Sequence, residues 1–130
     1  MRPRPSKKKA ARGVAAVEFA LVLPALLTVL LGTIDWGYYF FLREVVTNAS
    51  REGARAGTLQ SSDALASSQA ATAAQNYLTS AGLSASNSTV TPTVSTGSVA
   101  VAVTYPAGSV TGFLTAFLPT QIQANAVMSR

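Results

Sequence analysis

Hydrophobic residues run almost without a break from Val14 to Leu42, and the interval Phe19–Ile34 carries no charge. A bilayer core needs about 20 apolar residues at 1.5 Å rise each, so residues 14–42 read as a transmembrane helix. The period then changes. Leu42, Val45, Val46, Ala49, Gly53 and Ala56 recur at three- and four-residue spacing, while Arg43, Glu44, Asn48, Arg51, Glu52 and Arg55 take other positions. That spacing continues the helix as an amphipathic one, with Gly57 as its stop and a total length of about 65 Å. Ser61-Ser62-Asp63 offers a cap for a second helix through Thr79, with Ala66, Ala70, Ala73 and Tyr77 on one face.

Three alternating segments follow the Ser/Gly/Asn loop at 80–88. Thr89–Ser95 alternates Val90 and Val94 with threonine, and Pro92 assigns it to a sheet edge. Ser98–Tyr105 puts Val99, Val101, Val103 and Tyr105 on one side, after a Thr96-Gly97 turn. Gln121–Met128 does the same with Ile122, Ala124, Ala126 and Met128. The expected fold is α+β: a long N-terminal transmembrane helix continuing into an amphipathic helix, a second short helix, and a small three-stranded antiparallel sheet. Residues 43–130 would form a small head. Within it, the apolar cluster Phe113, Leu114, Phe117 and Leu118 is expected to cover the sheet, with an exposed contact patch as the alternative.

Composition narrows the function classes. Among 130 residues there is no Cys and no His. That excludes the usual zinc sites, thiol nucleophiles and Ser-His-Asp hydrolysis. Five acidic residues scattered singly leave little for a carboxylate dyad, and no phosphate-binding glycine motif is present. An enzyme, a cofactor and a metal site are therefore not expected. The net charge of +5 is concentrated at one end. Arg2, Arg4, Lys7, Lys8, Lys9 and Arg12 precede the apolar run; in everything after Arg12, four cations face five acids. Nucleic-acid binding would want cations spread over a folded face, so nucleic acid is not an expected partner. A basic leader before a span favours a cytoplasmic N-terminus and an outward head, with Trp36, Tyr38 and Tyr39 as an aromatic belt at the far interface.

Glu18 sets this chain apart from a plain anchor. An ionisable group within a span costs about 2.5–3.5 kcal/mol, so it has a partner, a role, or an escape to the interface by snorkelling. The run is too long for a secretory signal peptide, and residues 31–36 offer no small-x-small cleavage site. Pro24 removes one helix hydrogen bond and either kinks the span or acts as a hinge. Gly32 and Gly37 permit either close helix packing or local melting. Asp35 is expected to be a solvated acid at the interface, with a buried pairing role as the alternative. Arg51 to Arg55 reads as a solvated charged face, with packing against neighbouring subunits as the alternative.

A basic stretch, Gly13, and an acid at the fifth position of an apolar helix resemble the type IV pilin-like proteins. The string RGVAAVEFALVLPALLTVLLGTIDWG, followed by VTNASREGARAG from Val46 to Gly57, resembles the TadE-like family of the tight-adherence (Tad, or Flp) pilus system. The resemblance implies a minor pseudopilin whose 1–13 leader is cut between Gly13 and Val14 by a prepilin peptidase. It also implies that the new Val14 amine pairs with Glu18 of a neighbouring subunit. Implied partners are the inner membrane, the peptidase, other pilin or pseudopilin subunits and the Tad assembly machinery. The implied location is the bacterial inner membrane, single pass, with a periplasmic head that can reach the exterior in a pilus. An uncleaved, membrane-anchored periplasmic binding module is the alternative.

Overall fold

A computed structural model describes residues 7–130. Helix α1 spans Lys7–Thr58 and α2 spans Asp63–Ser80, followed by a short 3-10 turn at Ala85–Asn87. Strands β1 (Thr89–Ser95), β2 (Ser98–Pro106) and β3 (Gln121–Ser129) form an antiparallel meander in the order β1-β2-β3. The α+β architecture expected from the pattern is present. Helix α1 begins earlier than residue 14, because Lys, Ala and Arg are good helix formers and a single Gly13 does not interrupt them. Its 52 residues correspond to about 78 Å.

The head is built on the C-terminal half of α1, which packs against β2 and β3, while α2 packs against α1 and β1. Val99, Val101 and Val103 of β2 are fully buried, each flanked by neighbours on both sides: Val101, for example, lies between Pro92 and Ala126. They meet Leu42, Val46, Ala49 and Ala54 of α1 and Leu78 of α2 in one core. Pro92 is on an edge strand, where its missing N–H costs no ladder bond within the sheet.

Two glycines let the layers close. A Cβ on Gly53 would lie 2.8 Å from the Ala70 carbonyl oxygen and 3.1 Å from the Ala74 Cβ. On Gly57 it would lie 2.8 Å from Val99 Cγ1. Gly57 is thus a packing residue inside the helix, which ends one residue later, and not the expected stop. The intramolecular contacts also assign these glycines to α2 and the sheet, while the nearby Arg51 and Arg55 are exposed.

The buried stripe of α2 is Ala66, Ala70, Ala74 and Leu78, one residue out of phase with the expected Ala73 and Tyr77. An alanine-rich helix offers little contrast between faces, and Leu78 rather than its neighbour Tyr77 carries the apolar volume inward. Ser62 caps α2 as expected, accepting from the Leu65 N–H at 3.4 Å. The carboxylate of Asp63, in turn, pairs with the guanidinium of Arg130, which also donates to the Gln60 carbonyl.

Candidate functional site

The candidate site is the N-terminal half of α1, from Gly13 to about Gly37. Val17, Phe19, Leu21, Val22, Leu26, Val29 and Leu30 are all exposed, Leu21 at 75%. This is the single described helix long and apolar enough to cross a membrane. Among its expected site residues, Gly13 stands in open space, where an added Cβ would meet nothing within 4 Å, and Val14 is 59% exposed. Glu18 is exposed, four residues after Val14 and so on the same helix face one turn on. No described side chain pairs with it. Arg2 and Arg4 lie outside the described residues; Lys7, Lys8, Lys9 and Arg12 occupy the first turns of α1.

The helix continues through Pro24 without a break. Proline cannot donate to the carbonyl of residue 20, but the Pro24 carbonyl itself accepts from Thr28 Oγ1 at 2.8 Å. Thr33 repeats the arrangement on Val29. Both hydroxyls are satisfied inside the helix, as polar groups in an apolar medium must be.

Asp35 departs from expectation. It is completely buried and accepts four hydrogen bonds from a segment more than 70 residues away in the chain. Oδ1 accepts from the Thr111 N–H at 2.8 Å; Oδ2 accepts from Ser109 Oγ at 2.6 Å, Thr111 Oγ1 at 2.8 Å and the Leu114 N–H at 3.0 Å. A carboxylate only accepts, and all four groups donate to it, three to Oδ2 and one to Oδ1. The reading as a solvated interfacial acid is therefore corrected: Asp35 clamps the β2–β3 loop to α1. The local pattern holds no sign of this. The one signal in the sequence is a loop rich in hydroxyls and free of charge, with a lone acid closing an apolar run elsewhere.

The clamp also moves the Phe113–Leu118 cluster. Only Leu118 is buried; Phe113 and Phe117 are exposed, and Leu114 lies against α1 beside Gly32. The cluster does not cover the sheet, because Asp35 holds the loop beyond the sheet's end. Leu114 and Phe113, with Thr28, Gly32, Trp36, Gly37 and Phe40, line an open apolar groove. Gly32 and Gly37 thus mark where the helix surface is lowest. The aromatic belt is split: Trp36 stays exposed, packed edge-on to Tyr39 and tilted against Phe40, while Tyr38 and Tyr39 pack partly onto the core.

The TadE-like protein family model matches residues 13–55. That stretch is similar to the TadE-like family. It starts at Gly13 and takes in Glu18, Pro24, Asp35 and the Arg51–Arg55 turn, so it joins the exposed half of α1 to the half that carries the head. Comparisons with characterised proteins and with solved structures find no match. Within the matched stretch, Glu52 and Arg55 form the expected i,i+3 pair at 2.7 Å on the solvent side. The Arg55 hydrogen bond, with the guanidinium charge in support, holds the Glu52 carboxyl below its ordinary range against the opposing effect of desolvation.

Proposed function

We propose that this protein is a minor pilin-like subunit of a Tad pilus, held in the inner membrane by the apolar half of α1 and assembled through Glu18. It has no catalytic role in this reading. The observation that carries it is Glu18 itself: an acid one turn after Val14, exposed on an otherwise apolar helix, within the stretch that matches the TadE-like family. Cleavage after Gly13 removes the six leader cations and leaves an α-amino group on Val14. The amine of one subunit then meets Glu18 of the next, and because an unpaired acid in an apolar bundle is costly, the pair fixes the register between subunits.

The basic leader favours a cytoplasmic N-terminus, which places the head in the periplasm. Gly13 suits the peptidase because it lacks a Cβ and has the poorest helix propensity apart from proline, so the helix opens there at low cost. The unbroken helix across Gly13 favours the second reading, an uncleaved anchored binding module.

Substitution at Glu18 separates the two. Glu18→Ala and Glu18→Gln are expected to insert and to be processed, since each removes a charge that disfavours the bilayer. Neither can form the ion pair, so both should fail to co-purify with the pilus components that wild type brings down. Normal co-purification of both variants would leave Glu18 as a snorkelling acid and favour the anchored module.

A further inference from the structure

Residues 107–120, which join β2 to β3, contain no charged side chain. Val110, Phe113 and Phe117 are exposed, Phe117 with 79% of its surface. Hydrophobic side chains on a loop tip commonly fold back onto the nearest sheet. Here the four bonds to Asp35 hold the loop against α1 instead, and Leu114 reaches Gly32, almost a full turn deeper than Asp35.

Depth follows from the helix rise. From Val14 to Gly32 is about 27 Å along α1, against about 30 Å of hydrocarbon in a bilayer. A span that begins near Val14 therefore brings Leu114 and its neighbours to the far boundary of the hydrocarbon. Irregular backbone is tolerated at the boundary, where part of its polar groups is satisfied within the protein and the rest can meet headgroup water. In this loop the N–H groups of Thr111 and Leu114 donate to Asp35, that of Gly112 to Ser109 Oγ, and that of Phe113 to Thr111 Oγ1. Those of Phe117 and Leu118 donate to the Leu114 carbonyl. On α1 the exposed aromatics beside the loop are Trp36 and Phe40, residue types that settle at a membrane interface.

We propose that the 107–120 loop is a lipid-binding apron, which inserts Phe113 and Phe117 into the headgroup–acyl boundary of the bilayer crossed by its own helix. This rests on reading α1 as a span. The apron gives the head a second attachment point beside the helix and so fixes its height and tilt over the membrane. Having no cations, it binds by apolar area alone, and its insertion does not depend on anionic lipid or on salt.

The chain has no cysteine, so one environment-sensitive fluorophore can be placed at a time. Phe117→Cys carries the probe, Leu26→Cys serves as the mid-span reference and Ser86→Cys as the exposed head reference. The labelled full chains go into nanodiscs of phosphatidylcholine with and without phosphatidylglycerol. Aqueous iodide and a shallow lipid-attached spin label are the two quenchers. The proposal expects iodide quenching at position 117 to be several-fold weaker than at 86, strong quenching by the lipid label, and the same result in both lipid mixtures. Iodide quenching at 117 equal to that at 86, with Leu26 protected, overturns the apron and leaves the span intact. Protection at 117 from both quenchers means that protein covers it, which also overturns the proposal. Iodide access at Leu26 removes the span, and the apron with it.

Discussion

Residues 14–34 and 42–57 of α1 share one continuous backbone and differ in what their side chains meet. The first stretch projects Leu, Val and Phe on every side and leaves them exposed. In the second, Leu42, Val46, Ala49, Gly53 and Gly57 are packed beneath α2 and the sheet, and the charged residues stay outside. The contrast is one of side-chain volume as well as polarity. Glycine and alanine at 49, 53, 54 and 57 let a second helix approach within van der Waals contact, and a head of this size can cover one helix face only by such close approach. Where bulky apolar groups surround the helix, no single face exists for the head to cover. That half needs an apolar solvent or other subunits.

Matched substitutions in the two halves test this contrast, and the largest effect is expected in the core. Leu78→Ala should destabilise the head by about 3 kcal/mol in chemical denaturation, whereas Leu26→Ala should leave that transition in place. Next comes the glycine pair. Gly53→Ala puts a Cβ 2.8 Å from the Ala70 carbonyl oxygen and should cost about 2 kcal/mol, while Gly37→Ala, with open space around it, should be neutral or slightly stabilising. Equal effects of the two glycine substitutions would show that the head does not sit where the structure puts it.

Asp35 lies at the junction of the two regions. Asp35→Asn keeps the shape but places an amide against a set of donors. Hydrogen exchange at the Thr111 and Leu114 amides should accelerate roughly tenfold, with core amides such as Val101 unchanged. Unaltered exchange would mean that the clamp is not formed. The smallest effect belongs to the exposed Glu52–Arg55 pair. The folded-state value of Glu52 is lowered, so its contribution is present above the ordinary glutamate range and is lost as pH falls through the lowered value. Arg55→Ala should remove that pH dependence and scarcely alter stability at neutral pH.

Strong periodic contrast makes most of this fold readable from the chain. The β2 valines alternate cleanly and form the sheet's buried face; residues 14–34 are apolar on every side and form an unshielded helix. What escapes the pattern does so for physical reasons. The buried face of α2 is hard to read because alanine on every side flattens the contrast. Gly53 and Gly57 permit close approach, but sequence does not say whether the approaching surface is the same chain or another. The role of Asp35 is hidden because its donors come from Ser109, Thr111 and Leu114, and a long-range clamp leaves no local signature. Gly13, Val14 and Glu18 are legible as a motif, and the structure adds that all three stand free of the head.

The most direct test is the mass of the protein extracted from membranes of cells that carry a prepilin peptidase. The account predicts a chain that begins at Val14, with residues 1–13 absent, and a shift to the full-length mass when Gly13 is replaced by a bulky residue. A wild-type chain that still carries its leader in those cells would contradict it, since Glu18 would then have no α-amino group at Val14 to meet.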